Sequence, residues 1–346
     1  MRFLPTDEQS DFARTLRSLL GAAQVPAAVR AWAEGEHGPG HELRSRLAAT
    51  GLFALAAPEA YEGAGLLAPE LSLGFVELGR AGMPGPVVES AAVSVLLSEL
   101  GDAGLAERFL PGLVAGEAWA TLTLPGGSGG SPYALDADAA AHCFAVSAAG
   151  ELRLAAPGEV LPSTDPARRL SRPAAPGGDG GEGGDRGDGG DGGELLAAGP
   201  AVARAAAVAG RWARLLTAAQ CLGVGEALLE RTVGYVKQRT QFGAPIGSFQ
   251  AVKHRLADTL LALEFARPLL WAAALSTAPG DVAAAKLRCG EAAYGAAMTA
   301  LRLHGAVGYT EELDLSLWLR KARPLRDAWG TPSACRAEVM RSVTPA

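Results

Sequence analysis

Two segments of this chain bring together residue types that could hold a phosphorylated aromatic ligand. The first runs Tyr235-Val-Lys-Gln-Arg239-Thr-Gln241-Phe242-Gly243-Ala-Pro245-Ile-Gly-Ser248-Phe249-Gln250. The pattern predicts a helix with an arginine in its last turn, a break at Gly243 and Pro245, and a new helix from about Ser248. A guanidinium, an aromatic face and a fresh helix N-terminus then share one spot, which suits a pyrophosphate and a stacked adenine. Taken alone, the same residues are equally well explained as a helix C-terminal charge and an aromatic core plug. The second segment is Leu303-His304-Gly305-Ala-Val-Gly308-Tyr309-Thr310, with Trp329-Gly330-Thr331 downstream. Two glycines three apart after a helix let a ligand approach the backbone, and Thr310 is placed to cap a following helix. A plain turn between helices is the simpler explanation.

Other motifs carry less. Gly126-Gly-Ser128-Gly-Gly130 has the spacing of a nucleophile elbow, but Ser131-Pro132 follows where that elbow needs a helix, so a turn is expected. His37 and His41 are separated by Gly38-Pro39-Gly40, which is expected to prevent a helix presenting both imidazoles on one face; no metal site is expected. Gly223-Val-Gly225 lies in a helical stripe with no strand before it, which favours close helix packing over dinucleotide binding. The cysteines, at 143, 221, 289 and 335, have the spacing of neither a zinc pair nor a disulfide framework, so a reduced, cytoplasmic setting is expected.

The scaffold that positions these residues is mostly helical by pattern. A chain of 346 residues exceeds one ordinary domain, and 49% apolar composition excludes a wholly disordered one. Thirty-one basic against thirty-seven acidic residues give a net charge of −6 with no basic stripe, which argues against nucleic-acid binding. None of the lysines (237, 253, 286, 321) follows a glycine, which excludes a phosphate-cradling P-loop. The early polar residues and the breaks at Pro200, Arg204 and Arg211 predict neither a signal peptide nor a membrane helix. Over 8–116 the apolar residues recur at helical steps, as in Phe12, Leu16, Leu19 and Leu20. Short strands are expected at 143–147 and 151–154. The tract 177–193 holds eleven Gly, five acids and one Arg, and is expected to be a solvated loop. Stripes such as Leu215, Leu222 and Leu229, then Leu256, Leu260 and Leu263, predict long helices after it, and a short one over 331–341. The resulting division is 1–118 helical, 119–199 a reduced β domain holding the tract, and 200–346 a helical bundle.

These segments together resemble the acyl-CoA dehydrogenase family. The likeness rests on the Arg-x-x-Phe-Gly…Phe-Gln stretch (Arg239 to Gln250) and the His-Gly-x-x-Gly-Tyr-Thr stretch (His304 to Thr310). It extends to Gly51-Leu-Phe-Ala-Leu-Ala-Ala-Pro58-Glu59, Tyr61-Glu-Gly63-Ala-Gly65 and Leu110-Pro-Gly-Leu-Val-Ala-Gly116. The resemblance implies an α+β fold: N-terminal helices, a small middle β domain, and a C-terminal four-helix bundle that carries FAD and the oligomer contacts. It implies contacts to FAD from Arg239, Phe242, Gln250, Gly305, Gly308 and Thr331. Gln241 stands where the family often has a smaller hydroxyl residue, and Arg214 matches an arginine near the substrate pocket.

The implied reaction is α,β-dehydrogenation of an acyl-CoA thioester, in which a carboxylate takes the α-proton while the β-hydrogen leaves as hydride to flavin. The family places that carboxylate just before the C-terminal Gly-Thr, where this chain has Trp329, or just before the matched arginine, where it has Ala213. Glu311, Glu312 and Asp314 offer a relocated carboxylate, although acids in the first turn of a helix complement its dipole without catalysis. Three functions follow as expectations: an acyl-CoA dehydrogenase-type flavin oxidoreductase, a non-catalytic partner subunit of a hetero-oligomeric one, or an acyl-CoA-binding protein without flavin.

Overall fold

Each helix has a local cause for where it begins. The computed structural model describes residues 4–126, 130–173 and 193–344. In α1 (Asp7–Ala22) the Thr6 hydroxyl accepts from the Gln9 backbone N–H (3.2 Å) while the Gln9 side chain accepts from that of Thr6 (2.9 Å), closing a capping box. There follow α2 (Val25–Ala33), α3 (Gly38–Ala48), a two-residue ladder of β1 (Ala56–Ala57) with β2 (Gly65–Leu66), and α4 (Ala68–Ala81). The helix α4 stops at Gly82, whose left-handed backbone (φ 74°) suits glycine. Next come α5 (Val87–Leu100) and α6 (Ala103–Val114), the latter capped by Asp102.

Among the described residues, seven strands make up the β region: β3 (Ala120–Thr123), β4 (Ala134–Leu135), β5 (His142–Val146), β6 (Glu151–Leu154), β7 (Val160–Leu161), β8 (Leu170–Ser171) and β9 (Glu194–Ala198). One sheet has the order β3-β5-β6-β9, with β3 and β5 parallel and the other pairs antiparallel; a second has the order β4-β8-β7. The expected strands at 143–147 and 151–154 are therefore β5 and β6, a residue or so adjusted. Most of the glycine-acid tract and the centre of Gly126–Gly130 fall outside the described residues. The chain continues through α7 (Pro200–Gln238), a hairpin of β10 (Thr240–Gln241) and β11 (Ala244–Pro245), α8 (Gln250–Ser276), α9 (Pro279–His304), α10 (Leu315–Asp327) and α11 (Pro332–Val343).

Two compact units share these elements. One consists of 44–66 and 85–213, around Trp119, Leu122 and Phe144, none of which is exposed. Inside it the Arg44 guanidinium lies between the rings of Phe53 (4.3 Å) and Trp119 (4.2 Å) and donates to the Leu113 carbonyl (2.9 Å); burial pushes its pKa down to about 9.

The other unit consists of the chain up to Leu43, Leu67–Pro84, and the chain from Arg214 onward. Its α4 and α7 touch backbone to backbone: a Cβ on Gly223 would stand 1.9 Å from the Val76 carbonyl oxygen and 2.6 Å from the Arg80 nitrogen. A Cβ on Gly225 would meet the Leu263 side chain at 2.6 Å. Close helix packing is thus what this Gly-Val-Gly serves. A chain of alternating charges crosses the same helices. Arg17 of α1 grips Glu77 of α4 through two bonds (2.6 and 2.9 Å). Arg80 pairs with Glu77, Glu226 and Glu230, and Arg267 of α8 joins Glu226 (2.7 Å) to Glu264 (3.1 Å). Glu77 and Glu226 are buried, so each needs its partners to offset desolvation.

One local expectation fails. Gly38 and Pro39 open α3 instead of preventing it, because proline is tolerated in a first helical turn where its N–H has no partner to lose. His37 and His41 both rest against Trp32, with ring centroids at 4.6 and 6.0 Å.

Candidate cofactor site

Arg239 is the first residue beyond α7; its N–H donates to the Tyr235 carbonyl (2.9 Å) and its own carbonyl accepts from Ile246 (2.8 Å), closing the base of the β10–β11 hairpin. The pairing of Gln241 with Ala244 leaves Phe242 and Gly243 as a two-residue loop, with φ of 54° and 77°. Such a loop needs positive φ at both positions and ordinarily recruits Asn-Gly. A phenylalanine there is strained, and its ring is 95% exposed, held only at its edge by Phe249 (6.4 Å between centroids). Strain at an exposed aromatic points to a role beyond this chain's own core. Gln241 and Gln250, the first residue of α8, are exposed beside it.

The second segment reaches the same place. Tyr235, one turn before Arg239, stacks on His304, the last residue of α9, at 4.1 Å between ring centroids and 23° between planes. The Tyr235 hydroxyl also donates to the His304 carbonyl (3.4 Å). Gly305 follows at φ 64°, and a Cβ there would meet no atom within 4 Å, leaving the backbone open to a ligand. Gly308 is buried in the 3-10 turn Gly305–Tyr309, where a Cβ would come within 3.1 Å of the His304 Cβ. The stack is what joins the two segments, and neither residue had been given a role from sequence.

His304 sets a pH dependence. Burial holds its imidazole below the ordinary value near 6.5, against the opposing hydrogen bond from Nδ1 to the Ala300 carbonyl (2.8 Å). Because the folded value is depressed, the unfolded chain takes up the proton first. The stabilisation is complete above the unfolded value and is lost as pH falls through the folded one. The stability of the parent chain, followed by urea midpoint from about pH 7 to about pH 5, should fall more steeply than that of His304→Phe, which keeps an aromatic stack but cannot titrate. Equal slopes would remove His304 from this account.

Thr310 corrects an expectation: it caps no helix. Its hydroxyl donates to the Val307 carbonyl (2.9 Å), closing the 3-10 turn, and α10 begins five residues later after Asp314. Glu311 and Asp314 are paired with Arg320 and Arg30 (2.6 Å for the latter), which accounts for both as surface ion pairs. Thr331 is the exposed N-cap of α11, its hydroxyl accepting from Ala334 (3.3 Å).

Arg214, Trp329 and Thr331 form a second cluster. Trp329 is 3% exposed with φ 53°, followed by Gly330 at φ 132°. Two buried cations hold this turn: Arg214 Nε donates to the Trp329 carbonyl (3.0 Å), and Lys286 Nζ donates to the carbonyls of Arg326 (2.7 Å) and Gly330 (3.3 Å). Burial pushes the Lys286 pKa down. Lys286 was missed from sequence, since a lysine in a helical stripe reads as a solvated charge. Ala213 is fully buried.

Comparison with known proteins agrees with this geometry. Residues 6–117 match the acyl-CoA dehydrogenase N-terminal domain, and residues 203–344 match the acyl-CoA dehydrogenase C-terminal domain. Acyl-CoA dehydrogenase IpdE2 of Mycobacterium tuberculosis is 32% identical over 92% of both chains. The chain belongs to the acyl-CoA dehydrogenase family. Its function is accordingly of acyl-CoA dehydrogenase type, an oxidoreductase acting on acyl-CoA. The fold of the family, with helices at both ends and a small β region between, is shared with two solved structures at 24% identity. These are the ChsE4-ChsE5 complex from Mycobacterium tuberculosis (TM-score 0.83, all of both chains covered) and the Tcur3481-Tcur3483 steroid ACAD G363A variant (TM-score 0.79, 97% of both).

Proposed function

We propose that this acyl-CoA dehydrogenase chain is the base-lacking member of a hetero-oligomeric enzyme, lending one wall of an FAD site to a base-bearing relative. The observation that carries this is Trp329. Removal of an α-proton needs a carboxylate poised beside the substrate. Here the family's base position holds a buried indole with its backbone pinned by Arg214, and the alternative position holds the buried methyl of Ala213. Neither takes a proton.

The residues present suit the cofactor. FAD, when bound, would supply the hydride acceptor. Phe242 offers a bare ring for an adenine, Arg239 an exposed guanidinium for a pyrophosphate, and Gly305 a backbone with no side chain in the way. Gln241, Gln250, Gly308 and Thr331 complete the set by resemblance. Arg214, matched by resemblance to a substrate-side arginine, also holds the Trp329 turn through its Nε. Retention of Arg239 and Phe242 favours this reading over an acyl-CoA-binding protein without flavin.

Assembly is supported by α8. Leu260, Leu261, Phe265, Leu269 and Leu275 are exposed along it at helical spacing, Phe265 by 68%. By length and composition the helix could also cross a bilayer, with 39% of its apolar window buried. The ion pair of Arg267 with Glu226 of α7 ties that helix into the folded unit and favours a protein partner. One of the structures sharing this fold, ChsE4-ChsE5, is a complex of two named chains. The four buried cysteines, none in a disulfide, suit a reduced, cytoplasmic setting, and the division at 118/119 and 199/200 belongs to the same reading.

The test is an absorption spectrum. Purified alone, the chain should be colourless; co-expressed with a relative that keeps Glu before its Gly-Thr, it should yield a yellow complex that bleaches on addition of acyl-CoA. A chain that is yellow by itself and bleached by acyl-CoA would make it a complete enzyme and end this reading.

A further inference from the structure

The α8–α9 pair carries a groove of about 500 Å³ whose lining recurs at the same spacing on both helices: 251, 254, 255, 258, 259 and 262 on one, and 288, 291, 292, 295, 296 and 299 on the other. Two contacts fix the register. The Thr259 and Thr299 hydroxyls are 3.2 Å apart, and the Cys289 thiol lies 3.9 Å from the Ala266 carbonyl. The helices are therefore antiparallel, and the lining residues can be ordered along the groove. Arg255 comes first, beside His254, and then Asp258. A small-residue centre follows at Ala262, Gly295 and Ala296, then Glu291, and at the far end Arg288. The charge order is plus, minus, neutral, minus, plus, symmetric about Ala262 and Gly295. From Arg255 to Arg288 it spans about 20 Å at 1.5 Å per helical residue. Glu291 is also bonded to Arg288 (3.4 Å) and to Arg336, which lies outside the groove.

A symmetric charge order is a poor surface for self-association. A two-fold axis through the centre, whether it runs along the groove or across it, brings Arg255 to the level of a like charge from the second copy, and Asp258 likewise. Gly295 adds an independent sign of an occupant. Glycine in the middle of a helix is unfavourable, and a Cβ at this position would meet nothing within 4 Å, so nothing inside this chain requires it. It leaves the floor of the groove open to close approach by another backbone.

We propose that this groove seats a helix of a second, non-identical chain that carries acidic residues at its two ends and basic residues between them, and that its charge order excludes a second copy of this chain. The inference deepens the partner-subunit reading and rests on it, by naming the surface and the chemistry of the partner.

The test uses this chain alone. The swap Arg255→Asp with Asp258→Arg leaves net charge and composition unchanged but reverses one end, making the groove complementary to itself under the two-fold that runs across it. Sedimentation velocity on the full chain should show the swapped protein self-associating at least about tenfold more tightly than the parent, the gain fading at high salt. Adding Gly295→Leu, which sets a side chain on the groove floor where a Cβ meets nothing within 4 Å, should abolish the gain. If the swapped chain keeps its circular dichroism yet associates no better than the parent, the proposal is overturned. It is also overturned if the parent self-associates and Gly295→Leu alone breaks that association. Should the double swap fail to fold, Asp258→Arg alone must shift the same constant in the same direction by a smaller factor; no shift counts against the proposal. If co-expression gives a yellow complex while these measurements fail, the partner reading stands and only the assigned surface is wrong.

Discussion

Gly223→Ala should destabilise the protein by about 3 kcal/mol or more, beyond the usual cost of overpacking, because the three nearest atoms its methyl would strike all belong to the backbone of α4. The clash at 1.9 Å with the Val76 carbonyl cannot be relieved by a rotamer change; α4 and α7 would have to move apart, exposing the faces they share. Gly295→Ala is the internal control. It is also a helix-interior glycine, but its Cβ meets nothing, so the isolated chain should gain up to about 1 kcal/mol from helix propensity and the stiffer unfolded state. Urea midpoints of the two variants should therefore move in opposite directions. If both moved the same way, the backbone contact between α4 and α7 would be wrong.

The second large effect concerns the hairpin tip. Phe242→Asn should tighten the hairpin by up to about 1 kcal/mol, since asparagine tolerates the left-handed backbone that phenylalanine occupies at φ 54°. It should also weaken flavin retention in the co-expressed complex by about tenfold, the worth of one ring stacked on a base. Arg239→Gln should cost flavin about tenfold to a hundredfold through loss of a charge-assisted contact, with the fold intact because the side chain is exposed. The flavin-to-protein ratio after dialysis, read beside the thermal midpoint, separates the two effects. A Phe242→Asn complex that is no less yellow than the parent would show that the ring does not meet the cofactor.

Much of this was legible because it is local. The break after Arg239 and the strands at 143–147 and 151–154 each depend on a few neighbouring residues whose backbone preferences are strong. Trp329 at the base position was visible from sequence as a substitution; that its turn is pinned by Arg214 and Lys286 was not, since those contacts join residues more than forty positions apart. The Tyr235–His304 stack was hidden for the same reason, its members lying 69 positions apart. His37, His41 and Thr310 were misjudged where a helix start was at stake: Pro39 was read as a breaker although it falls in a first turn, and Thr310 as a cap although the chain makes another turn before α10.

The linked charges from Arg17 to Glu264 impose a rule on how this family branch can drift. Neutralising Glu226 alone removes the carboxylate that Arg80 and Arg267 share, and neutralising Arg80 alone takes one cation from Glu77, Glu226 and Glu230 at once. Each such step is costlier than losing two opposite members together. Substitutions along this ladder should accumulate as compensated couples, so the α1–α4–α7–α8 core behaves as one inherited block even where its surroundings diverge.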